Sequence, residues 1–196
     1  MKIYRNTNLK NKHCRGVLAI GNFDGIHLGH QKVIRDAKQQ ANKNKLPFGI
    51  MTFEPMPVMF FNKKIKNHRI NSLDQKINQF KKLKLDFLII RKFNKKFSRL
   101  TAEKFIEKII FKKTKCKYLY VSNNFRFGFK RRGNIRILKK FGKKFNYRNL
   151  IIKPFKKKNN VISSTLIRKK IREGKIKEAN KFLNRYWSVD GKVIKG

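Results

Sequence analysis

His27-Leu28-Gly29-His30 is the part of this chain best suited to chemistry. Imidazoles at that spacing on a helix fall on roughly the same face. At a helix N-terminus they join unpaired backbone N–H groups and a partial positive charge, and Gly29 admits a ligand close to the backbone. The chemistry indicated is the holding of a phosphate. A blander alternative makes each histidine a cap or a surface residue. Against it stands the context, because both follow an apolar run and the turn Gly21-Asn22-Phe23-Asp24-Gly25, the setting that a phosphate loop requires. Zinc is disfavoured, since no further Cys or His pair has ligand spacing.

A second candidate lies far downstream, in Ile162-Ser163-Ser164-Thr165-Leu166-Ile167-Arg168. Hydroxyls directly before an apolar-periodic run cap a helix, predicted from Thr165 to the C′ residue Gly174. Arg168 is one turn from the helix start, within reach of any anion held by the Ser and Thr groups. The alternative is plain capping beside a surface arginine. Arg126, Lys130, Arg131 and Arg132, clustered before Gly133, are weaker candidates for a phosphate contact.

The elements that must carry these residues alternate strand and helix, the pattern of an α/β domain with a parallel sheet. Val17 to Ile20 reads as a buried strand, with a helix from near Leu28 to Ala41 placing Val33, Ile34, Ala37 and Ala41 on one side. Phe48 to Phe53 is the next strand, ended by Glu54-Pro55-Met56-Pro57 and followed by the apolar cluster Val58 to Phe61. Ser72 and Gln75 form a capping box for a helix to about Leu83. Phe87 to Ile90 is a strand, and Thr101 caps a helix that buries Phe105, Ile106, Ile109 and Ile110. Tyr118 to Val121, a helix from Ile135 to Phe141, and Leu150 to Ile152 follow. Lys156 to Asn160 reads as a solvated loop.

The string Gly21 to His30 resembles the His-x-Gly-His signature of the nucleotidyltransferase superfamily, and more particularly the FMN adenylyltransferase module of bacterial bifunctional riboflavin kinase/FAD synthetases. Ile162-Ser163-Ser164-Thr165-Leu166-Ile167-Arg168 is similar to that family's other signature. Thr52-Phe53-Glu54-Pro55-Met56-Pro57 and Val121-Ser122-Asn123-Asn124-Phe125-Arg126-Phe127-Gly128 resemble two supporting motifs. Family members usually carry His where this chain has Met56, and Gly where it has Ser122. The substitution at Ser122 is tolerable unless the position needs a positive φ.

The resemblance implies a Rossmann-like nucleotidyltransferase fold, α/β with a parallel sheet flanked by helices. It implies attack of the FMN 5′-phosphate on the α-phosphorus of ATP, giving FAD and pyrophosphate. His27, His30 and Arg168 would be catalytic. Gly21, Asn22, Phe23, Gly29, Asn124, Ser163, Ser164 and Thr165 would bind nucleotide and phosphate, and Pro55, Pro57, Phe61 and Phe127 the flavin. For Asn124 a turn, and for Phe61 and Phe127 plain packing, are the alternatives. Magnesium is expected on the ATP phosphates, with no protein ligand assigned. Residues 1–185 form the adenylyltransferase domain; 186–196, after a segment resembling a Gly-Arg-Pro-Tyr joint, resemble the first strand of a riboflavin kinase domain. Riboflavin phosphorylation is therefore expected to be absent, and a separate kinase or FMN source is implied.

The formal charge of +43, from 53 Lys and Arg against 10 Asp and Glu, would ordinarily suggest nucleic acid. The excess is spread along the chain together with abundant Asn, Ile and Phe, residues with AT-rich codons. A base-composition bias explains it more simply, so no specific nucleic-acid partner is expected. Cys14 and Cys116 form no paired motif, and neither a signal peptide nor a membrane span is recognisable. A cytoplasmic enzyme is the expectation. The rivals are an adenylyl- or cytidylyltransferase for another phosphorylated substrate, and a catalytically idle basic module adhering to RNA.

Overall fold

The computed structural model describes residues 1–65, 68–157, 160–191 and 193. The strands are Lys2–Tyr4 (β1), Val17–Ile20 (β2), Phe48–Glu54 (β3), Phe87–Lys92 (β4), Tyr118–Ser122 (β5) and Arg148–Ile152 (β6), with the short Lys156–Lys157 (β7) and Asn160–Val161 (β8). The helices are Leu28–Lys43 (α1), Pro57–Phe61 (α2), Leu73–Lys82 (α3), Lys95–Ser98 (α4), Ala102–Phe105 (α5), Ile135–Phe145 (α6), Ser164–Arg172 (α7) and Ile176–Leu183 (α8).

Alternation along β2 explains the layers. Leu18 and Ile20 point to one face of the sheet, onto Phe105, Ile106, Ile110 and Leu138; Val17 and Ala19 point to the other, onto Ile34, Ala37 and Phe80. Both faces are covered, so the strand can be apolar throughout, and all four of its residues are buried. A smaller cluster of Ile70, Ile162, Ile167, Ala179 and Leu183 fastens α7 and α8 beside the start of α1.

The main sheet runs β1-β4-β3-β2-β5-β6 with every neighbouring pair parallel. From β2 the chain passes through α1 to β3 on one side, and later enters β5 on the other. The crevice beyond the C-terminal ends of β2 and β5 is thus the topological switch point, where open α/β sheets bind ligands. The segments Gly21 to His30 and Ser122 to Gly128 leave the sheet there.

Most expected elements are present: α1 starts at Leu28, the Ser72–Gln75 capping box is formed, and Thr101 Oγ1 accepts from the Lys104 N–H at 3.2 Å. Several differ. β1 pairs at an edge where no strand was expected, Pro57–Phe61 is helical, and Ile106–Thr114 continues α5 with π-type hydrogen bonding. The expected loop at Lys156 to Asn160 contributes an exposed antiparallel ribbon; its Lys158 and Asn159 lie outside the described residues. Residues 186–191 form no strand, and Trp187 instead donates from Nε1 to the Ile70 carbonyl at 2.9 Å. Residues 192 and 194–196 of that stretch lie outside the described residues. Among the described residues no helix is long and apolar enough to cross a membrane.

Candidate active site

The turn after β2 is built from left-handed backbone. Gly25 has φ +81°, which glycine adopts freely, but Phe23 at +48° and Ile26 at +40° are unusual for L-residues and store strain at the site. The conformation turns the Phe23 ring onto His30, with centroids 5.2 Å apart, and delivers His27 as the residue preceding α1. His27 and His30 stack with centroids 3.7 Å apart and ring planes 24° from parallel. Their expected common face is therefore realised. Gly29 also serves its neighbour. A Cβ there would stand 3.1 Å from His27 Cε1, so the glycine makes room for the imidazole.

Electrostatics keep both rings neutral. His27 is 5% exposed, and burial, then the charges of Arg185 and Arg168, lower its pKa to about 4. Burial, then His27 and Lys76, push His30 well below the ordinary histidine value. Among the described residues the Nδ1 atoms of both are buried without a hydrogen-bond partner. A buried polar atom left unpaired costs stability. A neutral imidazole retains one N–H, so the pair can offer directed donors to an anion.

Asp24, read in the sequence only as part of a turn, organises the rest. Its Oδ2 accepts from Arg168 Nη1 at 2.7 Å, its Oδ1 from the Ile70 N–H at 3.0 Å, and its carbonyl from Ser164 Oγ at 2.8 Å. Arg168 is thus held by a carboxylate that is itself buried, and its Nη2 lies 3.4 Å from Thr165 Oγ1. Ser163 is the N-cap of α7, accepting from the Leu166 N–H at 3.2 Å. The helix begins at Ser164, one residue before the expected start, and Gly174 follows its end with φ +70°.

Beside this cluster lies a cleft of about 550 Å³, within the range of small-molecule sites. Of the expected site residues it is lined by Gly21, Asn22, Phe23, His30, Pro57, Phe61, Asn124, Phe127 and Ser164. His27, Gly29, Ser163, Thr165, Arg168 and Pro55 are not among its lining residues. Asn124 Oδ1 accepts from Ser122 Oγ at 2.8 Å; Ser122 keeps strand geometry, so its position does not need glycine. Met56 is buried, 2% exposed, and precedes α2. Sequence reasoning missed Phe53, Phe93, Phe97 and Phe105, which with Phe125 of the Ser122 to Gly128 motif complete an aromatic wall. Among 18 phenylalanines no spacing singled them out. Arg126, Lys130 and Arg131 also face the cleft.

The chain is similar to known proteins in sequence and in fold. The sequence model of the family described as FAD synthetase matches residues 9–166. Bifunctional riboflavin kinase/FMN adenylyltransferases from Buchnera aphidicola are similar over the full chain, at 41% identity for the subspecies from Schizaphis graminum and 43% for that from Acyrthosiphon pisum. The chain spans 64% and 63% of the length of these relatives. The Escherichia coli K12 protein of the same name is 31% identical over 92% of the chain and 58% of its own length. A solved structure described as a macrolide-efflux protein from Streptococcus pneumoniae superposes with a TM-score of 0.81 at 28% identity, covering 94% of this chain and 61% of that one. A pantoate-β-alanine ligase structure from Francisella tularensis shares the fold, with a TM-score of 0.58 at 17% identity over 94% of this chain and 78% of that one.

Proposed function

The chain belongs to the FAD synthetase family, and from that premise we infer that it transfers the AMP moiety of ATP to FMN. An oxygen of the FMN 5′-phosphate bonds to the α-phosphorus, the bond from that phosphorus to the bridging oxygen breaks, and pyrophosphate leaves. The observation that carries the reading is the stacked, neutral His27–His30 pair at the start of α1, beside a cleft with an aromatic wall.

A phosphomonoester with a second pKa near ~6 is already largely dianionic at neutral pH, so the nucleophile needs no general base. Catalysis then consists of alignment and of stabilising charge as it moves to the leaving group. His27 and His30 donate to the phosphates. Ser163, Ser164, Thr165 and the first-turn amides of α7 take the β and γ groups, with Arg168 steadied by Asp24. Gly21, Asn22, Phe23 and Asn124 frame the nucleotide, while Pro57, Phe61 and Phe127 with the other aromatic residues receive the flavin ring.

Among the described residues no three His, Cys, Asp or Glu side chains gather into a ligand set, and both carboxylate oxygens of Asp24 are engaged. Magnesium is taken to enter with ATP as MgATP, where it would neutralise part of the triphosphate charge. FMN must come from a riboflavin kinase or another source. Two free thiols suit the reducing cytoplasm proposed for the reaction.

The test is chromatographic detection of product from FMN with ATP or CTP, and in parallel from riboflavin with ATP. FAD from FMN and ATP supports the reading. Turnover of either nucleotide only with another phosphorylated acceptor would replace it.

A further inference from the structure

Lys76, in the middle of α3, is 2% exposed. Its Nζ donates to the Asn22 carbonyl at 3.3 Å, the oxygen that also accepts from Thr52 Oγ1 at 3.0 Å. Among the described residues no carboxylate stands within ion-pair distance of it. Asp24 is paired with Arg168 and Glu54 with Arg69. A buried ammonium served by one neutral acceptor is a burden on folding, and a methionine would fill similar space without it.

What the cation faces gives it a use. Asn22 lies on the wall of the cleft between Gly21 and Phe23, and the Lys76 charge is felt at His30, whose ring faces the same cleft. Further groups act on the ammonium from neighbouring elements. Burial lowers its pKa most, Asp24 and Glu54 raise it, and Arg69 lowers it. Among the described residues the turn thus has behind it a cation without an ion-pair partner, and beside it two imidazole nitrogens without a hydrogen bond. An anion in front of the turn would complete the set.

We propose that Lys76 is a positioning residue for adenylyl transfer: through the Asn22 carbonyl it fixes the Gly21–Asn22–Phe23 turn, and from behind it supplies charge to the triphosphate. This rests on the reading of the site as an adenylyltransferase. It adds to that reading a residue from α3 that touches neither substrate.

The test compares Lys76→Met and Lys76→Gln with the unaltered chain in three readouts: urea unfolding, calorimetric binding of magnesium pyrophosphate, and kcat and KM for MgATP and FMN. The neutral variants are expected to unfold at the same or higher urea concentration. Their pyrophosphate affinity and their kcat/KM for MgATP are expected to fall by about tenfold or more, while the KM for FMN stays within about twofold. A merely structural lysine would lower stability and move both KM values together, and that result overturns the proposal. So do unchanged pyrophosphate affinity and failure of both variants to fold. If the unaltered chain binds pyrophosphate but makes no FAD, the acceptor reading is at fault, and the binding readout still decides the role of Lys76.

Discussion

His27 and His30 are useful to the reaction as neutral donors, and their burial is what makes them so. His30→Ala removes one preorganised donor from the transition state. It is expected to lower kcat by about 10²–10³-fold, or about 3 kcal/mol, with little change in urea midpoint; steady-state kinetics beside an unfolding curve checks this. The same burial makes the fold sensitive to acid. With a folded pKa for His27 near 4, the unfolded chain binds the proton first as pH falls below 6.5. Stability is therefore intact above that pH, and each step of one pH unit below it costs up to about 1.4 kcal/mol until the folded ring titrates near 4. Thermal unfolding from pH 7 to 4.5 should show this slope, and His27→Asn should reduce it while the buried His30 keeps its own contribution. The histidines were legible because their chemistry shows in local spacing. Asp24 and Lys76 were not, because their roles depend on partners that folding brings together: Asp24 meets Arg168 across 144 residues of sequence.

At the scale of elements, the start of α1 is shaped for its imidazole as much as for its helix. Gly29→Ala ordinarily favours a helix by up to about 1 kcal/mol. A Cβ at this position, however, would press on His27 at 3.1 to 3.2 Å. The variant is expected to hold or gain stability while losing at least about tenfold in kcat, through displacement of the ring; unfolding and turnover measured on one preparation separate the effects. Buried strands and capped helices were readable because their signals are local: Val17–Ile20 is a continuous apolar run, and the Ser72–Gln75 box closes on itself. β1 was hidden because three residues at a sheet edge have no periodicity to read. Phe23 and Ile26 in left-handed backbone defeat propensity altogether, since side chains of that kind argue against the turn that they make.

For the whole molecule, strand order assembles the site, and no pattern along the chain reveals it. Placing β5 beside β2 brings Ser122 to Gly128 against Gly21 to His30, and α7 then closes the set through Asp24. The charge of +43 acts on the same scale. Lysines and arginines spread over one small fold repel one another, and salt shortens that repulsion from a Debye length of about 30 Å at 0.01 M to about 8 Å at 0.15 M. The melting temperature should rise between these conditions, by about 2–4 °C for each kcal/mol relieved, as calorimetry in both buffers would show. The central claim, that the cleft joins FMN to the α-phosphorus of ATP, is tested most directly by isotope transfer. With FMN, magnesium and ATP labelled at the α-phosphorus, the account predicts label in FAD, and with ATP labelled at the γ-phosphorus it predicts label in pyrophosphate alone. Folded protein that leaves FAD unlabelled at every salt concentration would contradict it.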